Sequence, residues 1–322
     1  MFSTHCAYIN RLTAWCAGVI AVSLLVPLAA GAQGLGGNAY LKVAPETPHP
    51  GEQFSVSFEF YASDISGADI RWYIQGGEDQ SLRGSRSITL RAGALGEPVS
   101  VQATIGTFSL STTVTPSIVD IIVEADTRTP SFYKGRALPA AGEPVTVTAL
   151  PHTGENSNPG SFFYTWKLGT DVLYGGAVAG RNRASFTMPR NQTYLSVEIK
   201  TREGKRVAKE TVALKPSDPE LYFYEDNPLR GLSARAIGGV LPFIGEETSI
   251  RAEPYFVATD IFTANAKIEW AIDGRPVTLG NNPGTLTLFN AGGGERANVG
   301  FSLINRDSLL QSVRDSFTIL FD

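Results

Sequence analysis

Three times along this chain a Gly-Glu pair opens a short alternating strand, and a single strand-borne tryptophan follows. The pairs are Gly51-Glu52, Gly142-Glu143 and Gly245-Glu246, and the tryptophans are Trp72, Trp166 and Trp270. The tryptophans lie 21, 24 and 25 residues beyond their glycines and 94 and 104 residues from one another. A period of about 100 residues is the length of a domain, not of a solenoid unit. The repeat therefore predicts three small modules in tandem, each with its own core.

The modules read as all-β. In the first, alternation marks strands over 40–43, 53–61, 70–74, 87–91, 99–105 and 107–114. In the last of these Phe108, Leu110 and Val114 share a face, the period-2 signature of a half-buried strand. The second module adds 118–124, 145–150, 162–168, 184–188, 194–200 and 206–214. The third adds 220–224, 248–253, 267–272, 285–289, 297–304 and 315–321. Arg202-Glu203-Gly204-Lys205 and Asp273-Gly274 are expected to be hairpin turns, because Asp-Gly suits a turn that needs positive φ. Strands about every 10 residues, punctuated by Gly, Pro and Asn, predict antiparallel β-sandwiches. Two matching Pro-Ser junctions, Pro116-Ser117 and Pro216-Ser217, set the expected domains at 39–115, 116–216 and 217–322. Short proline-bearing junctions predict a semi-rigid line of modules.

Each tryptophan has apolar residues two before and two after it: Ile70 and Ile74, Tyr164 and Leu168, Ile268 and Ile272. In a strand those side chains point the same way. Trp72, Trp166 and Trp270 are thus expected to be core anchors between two sheets. The rival role is an exposed aromatic that stacks on a sugar.

Residues 1–32 are a separate object. Arg11 precedes an apolar run from Cys16 to Leu28, and Ala30-Gly31-Ala32 supplies small residues for cleavage before Gln33. That is the layout of a secretory signal peptide. The rival reading is an uncleaved anchor, since Ala14 to Ala32 could just span a bilayer. Residues 33–38 form a glycine-rich leader, expected to be flexible. Both cysteines, Cys6 and Cys16, fall in the signal, so the mature modules would be held by burial without disulfides. The expected location is the cell surface or the extracellular space, with membrane contact only through an uncleaved signal.

Without Arg11, 26 basic residues face 31 acidic ones and no basic stripe is present, which argues against a nucleic-acid partner. His5, His49 and His152 are scattered, and there is no HExxH, no thiol nucleophile beyond the signal and no Gly-x-Ser-x-Gly elbow. The expectation is a protein that is not an enzyme and uses no cofactor. Glu124 with Asp126, and Glu225 with Asp226, follow the first strands of modules two and three. Calcium at a module junction would suit them, because it takes several oxygen ligands. No DxDxDG-like loop supports it, and solvated loop acids are the simpler reading. Between Arg128 and Leu138 the chain combines Phe132, Tyr133, Lys134 and Arg136. Aromatic plus basic side chains are hot-spot types, which makes this the candidate partner-binding loop. Its alternative task is to cover the open end of a sandwich. Asn191-Gln192-Thr193 fits an N-glycosylation sequon.

The Gly-Glu strand, the x-Trp-x-x-(Asp)-Gly segment and the closing hairpin resemble the tandem Ig-like and PKD-like β-sandwich repeats of bacterial secreted and surface proteins. The likeness spans nearly all of 39–322 and is weakest in module one. The runs 119–127, 132–139 and 221–229 look like a group of such proteins from small-genome bacteria, some linked to surface pili. The chain departs from antibody-type domains in lacking their cysteine pair, and from many PKD repeats in lacking the full Trp-x-Phe-Gly-Asp-Gly motif. The resemblance implies an exported, non-enzymatic structural or adhesion protein with envelope or filament proteins as partners. The runner-up is a module that binds extracellular polysaccharide, a glycan, or protein, and a third reading is a hydrolase on a β scaffold. Such folds host many functions, so architecture is better specified than activity.

Overall fold

The computed structural model describes residues 39–321 apart from 62–64, 66, 155–157, 264, 279 and 291–295. The expected signal peptide and leader lie outside the described residues. Three β-sandwiches follow one another, each pairing a sheet that carries the Gly-Glu strand with a sheet that carries the tryptophan strand.

In module one the first sheet has the order Ala39–Ala44, Gln53–Phe60, Ser87–Arg91, and the second Gly77–Asp79, Ile70–Ile74, Val99–Ile105, Phe108–Val114. Module two repeats this with Ile118–Ala125, Pro144–His152, Arg183–Thr187 facing Asp171–Val172, Phe163–Leu168, Thr193–Lys200, Arg206–Leu214. In module three, Gly231–Leu232, Glu220–Asn227, Glu247–Tyr255, Thr285–Phe289 face Val240–Phe243, Val313–Phe321, Arg296–Asn305, Ala266–Ile272, Arg275–Pro276. The three copies share one register: Gln53 pairs with Arg91, Pro144 with Thr187 and Glu247 with Phe289.

One strand departs from the antiparallel expectation. Val240–Phe243 runs parallel to Val313–Phe321. At four residues it is too short for alternation to mark, and Pro242 inside it reads as a strand breaker. It is tolerated because the strand sits at a sheet edge. The Asp273-Gly274 turn has φ +48° and +76° and closes the pair Ile272–Arg275.

Each core is built around its tryptophan. Trp72, Trp166 and Trp270 are all 0% exposed. Their indole N–H groups donate to the carbonyls of Ser85, Arg181 and Pro283 at 2.8, 2.9 and 3.0 Å. The acceptor lies 13, 15 and 13 residues downstream, so the repeat conserves a polar anchor as well as an apolar one. A buried indole needs that partner, because an unmet N–H would cost free energy.

Modules one and two meet through backbone. Gly96 N–H donates to Pro116 O, and Ser117 N–H to Pro48 O. Buried Ser117 also donates its hydroxyl to Val207 O at 2.6 Å. Gly96 and Gly154 are pressed together, and a Cβ built on either would stand 2.7 Å from the other's Cα. Both have positive φ, so glycine is required twice over at this contact. Arg206 ties Glu198 of its own module to Glu46 of module one.

Candidate interaction site at the junction of modules two and three

The site begins with an aromatic-rich strand. In Glu220–Asn227, Leu221 and Phe223 face the core of module three. Period-2 alternation turns Tyr222 and Tyr224 to the other face. Tyr224 is nevertheless buried, because a loop of module two covers it. Phe132 lies edge-on to Tyr224 at 5.1 Å between ring centres, and Tyr133 edge-on to Tyr255 at 5.3 Å. Phe256 and Tyr222 complete the cluster at 6.1 Å from Tyr133 and 5.3 Å from Tyr255. The Tyr224 and Tyr255 hydroxyls are 2.7 Å apart. Burial, and the bond to Tyr224, push the Tyr255 phenol far above its ordinary value.

Polar contacts lock the same junction. Arg128 pairs its backbone in both directions, donating its N–H to Val257 O and accepting from Phe256 N–H. Phe256 holds φ +57° to make that exchange. Arg128 Nη2 lies 2.9 Å from Glu253 Oε2, and its guanidinium stacks over Phe262 at 4.9 Å. Glu253 is 2% exposed and is also held by Arg251 Nε at 2.7 Å. Buried Gln311 donates to Glu143 and to Ala141 O of module two, and accepts from Ala258 N–H. Ser217 N–H donates to Pro139 O at 2.7 Å.

The candidate partner-binding loop is thereby divided. Phe132 and Tyr133 are half-buried against the next module of the same chain, and not over the open end of their own sandwich. Lys134 and Arg136 remain exposed. Lys134 borders an open cleft of about 450 Å³, lined also by Tyr133, Glu220, Tyr222 and Phe256 among others. Tyr222 is 41% exposed there and donates its hydroxyl to Glu220 at 2.9 Å. That bond to Glu220 raises the Tyr222 phenol, which stays protonated at neutral pH. The rings meet edge to face instead of forming a coplanar strip.

The acidic residues considered for calcium do not gather. Glu124 pairs with Arg183 at 3.1 Å, and Asp226 lies 4.0 Å from Arg251. Among the described residues no group of three or more His, Cys, Asp or Glu side chains is placed to hold a metal ion, so Asp126 and Glu225 have no ligand set around them. His152 sits 3.0 Å from exposed Asp120, and His49 3.6 Å from half-buried Glu210, two separate pairs. No described helix is long and apolar enough to cross a membrane.

Tyr222, Tyr224, Tyr255, Phe256, Arg128, Glu253 and Gln311 carry the site without having been singled out from their residue types. A usable signal was present: four consecutive large residues in a predicted strand, Leu221 to Tyr224, can place only half of them in one core.

No protein-family model matches the sequence, and no curated protein matches it. Among solved structures, the central fibronectin-III array of RIM-binding protein matches at 12% identity, over 90% of this chain and 98% of that one, with a TM-score of 0.29. The chicken CNTN1 FN1–FN3 domains match at 12% identity over 89% and 99%, with a TM-score of 0.23. Three N-terminal domains of the bacteriophage RB49 Highly Immunogenic Outer Capsid protein match at 9% identity over 88% and 98%, with a TM-score of 0.24. The sandwich architecture rests on the sheet order of this chain itself.

Proposed function

We propose that this chain is an exported, non-enzymatic array that works by geometry: its sandwiches set a spacing, and its junctions present contact surfaces to an envelope or filament protein. The observation that carries the reading is the junction of modules two and three. Six aromatic rings, the Arg128–Glu253 pair and buried Gln311 are committed to holding two modules in one arrangement. Fixing orientation that firmly costs side-chain entropy, and it is useful where relative placement matters. Exposed Lys134 lines the cleft, and Arg136, exposed in the same loop, is a side-chain type enriched at interface hot spots.

A second reading is favoured by the cleft itself. Tyr222 offers an exposed ring edged by Glu220 and Lys134, which suits a sugar or a short peptide.

The test is cell-surface cross-linking of the protein in its native cells, with mass spectrometry of its own N-terminus and of its partners. A terminus at Gln33 with envelope or filament proteins cross-linked through the Lys134 loop is expected. An intact cytoplasmic chain would overturn the reading. Soluble extracellular protein with no protein partner, but with glycan binding lost in Tyr222→Ala, would replace it with the second.

A further inference from the structure

Joining three modules in a row leaves one end of module three and one end of module one without a neighbour in the array. A proline stands three residues before each repeated Gly-Glu: Pro48, Pro139 and Pro242. Ser117 N–H donates to Pro48 O and Ser217 N–H to Pro139 O, where the next module begins. Pro242 marks the same end of module three. There Ile244 takes the place of Ala141, whose carbonyl accepts from Gln311 of the following module. Leu229 and Arg230 lie two and three residues beyond the first strand, as Thr127 and Arg128 do in module two. Asp226, Pro228, Ile244 and Glu247 line one open cleft of about 410 Å³, so these segments are neighbours. Phe289 pairs with Glu247 at the same end. Among the described residues, Leu229, Ile244, Phe289 and Tyr61 are four of the five most exposed large apolar side chains. The first three belong to this end of module three, and Tyr61 to the free end of module one.

The free end of module one carries the pattern with which module three receives module two. Glu59 and Glu253 both lie eight residues after the repeated glycine, and Tyr61 and Tyr255 both lie ten after it. The first strands pair in the same register, Tyr40 with Glu59 and Tyr222 with Glu253. The Tyr40 and Tyr61 rings are 5.9 Å apart, and those of Tyr222 and Tyr255 are 5.3 Å apart. Each glutamate is held by an arginine of its own module, Glu59 by Arg86 and Glu253 by Arg251. In module three the set also takes Arg128 on Glu253 and Tyr133 against Tyr255, both from module two. Module two meets module one mainly through backbone, and it has Asp120, Leu150 and His152 at the three positions. In module one the set is uncovered, with Tyr40 and Tyr61 exposed.

We propose that the array associates head to tail: the Leu229, Arg230 and Ile244 end of module three in one copy docks on Tyr40, Glu59 and Tyr61 of module one in a second copy. Arg230 meets Glu59 as Arg128 meets Glu253, and the exposed apolar side chains cover the two tyrosine rings. The contact thus repeats between copies the chemistry that already joins modules two and three within one chain. Because it joins two different surfaces of the same chain, it is heterologous and propagates into a filament or closes into a ring. The inference goes beyond the proposed function, and it depends neither on export nor on what binds the Lys134 loop.

The test is analytical sedimentation of residues 33–322, a chain that holds all three cores, at concentrations up to about 1 mM. The mean mass should rise with concentration. Arg230→Glu and Glu59→Arg should each weaken association by about tenfold or more. The double variant should recover it, which a misfolded chain could not do. A chain carrying Ile244→Asp and a chain carrying Tyr61→Asp should each stay monomeric alone. Mixed, they should form heterodimers and nothing longer, since each keeps the end that the other lacks. Three results would overturn the proposal. One is a monomer at every concentration, and another is association that survives both single charge reversals. The third is a failure of the two blocked chains to pair when mixed.

Discussion

Trp166 has no exposed surface, and its N–H has one acceptor, Arg181 O. Trp166→Ala removes both the largest side chain of the core and that bond. It should destabilise module two by about 3–5 kcal/mol, read as a lowered midpoint in urea unfolding. Trp166→Phe keeps part of the volume and orphans the Arg181 carbonyl, so a smaller loss of about 1–3 kcal/mol is expected in the same measurement. At the second junction, Tyr255→Phe leaves the buried Tyr224 hydroxyl without its 2.7 Å partner. Alternation in the sequence was enough to place Trp166 with Tyr164 and Leu168 in one core. It could not show that Tyr224, on the opposite face, would also be buried. That depends on residues about 90 positions earlier, and no local pattern encodes such a contact.

At the scale of elements, the first junction combines backbone hydrogen bonds with two closely packed glycines and one arginine. Gly154→Ala puts a methyl group against the backbone of Gly96 at a position with positive φ. The modules must separate or strain, so a loss of about 1–3 kcal/mol is expected in thermal unfolding. Burial disfavours the charged form of Glu198, but the hydrogen bond and charge of Arg206, together with Lys200, outweigh it and hold its pKa below the ordinary carboxylate value. A depressed carboxylate stabilises the fold above its unfolded value and loses that contribution as pH falls through the folded value. The Glu198 contribution is therefore complete at neutral pH and declines in acid, from the ordinary carboxylate range down through the depressed folded value. Carboxyl-carbon NMR titration should show the depressed value, and Arg206→Ala should raise it. Alternation located 70–74, 87–91, 99–105, 206–214 and 285–289 at their observed bounds. Val240–Phe243 escaped it, because a four-residue edge strand with a proline is defined by the neighbour it pairs with.

For the molecule as a whole, the two junctions differ in kind. The second buries aromatic rings, a carboxylate and an amide between modules, whereas the first is mainly backbone contact and a half-exposed arginine. Modules two and three should accordingly unfold together, giving two calorimetric transitions instead of three. Combining Arg128→Ala with Phe132→Ala should split the shared transition. Three unchanged transitions in the parent chain would show that the junction transmits no cooperativity. The sequence by itself determined that the chain is all-β and threefold, where most strands lie and which tryptophan centres each core, because these follow from residue spacing and side-chain alternation. Only the tertiary structure decided what joins the modules and which module ends stay exposed. Those depend on surfaces brought together across long stretches of chain, and a residue such as Phe132 has the same local signature whether it faces a partner or its own next module.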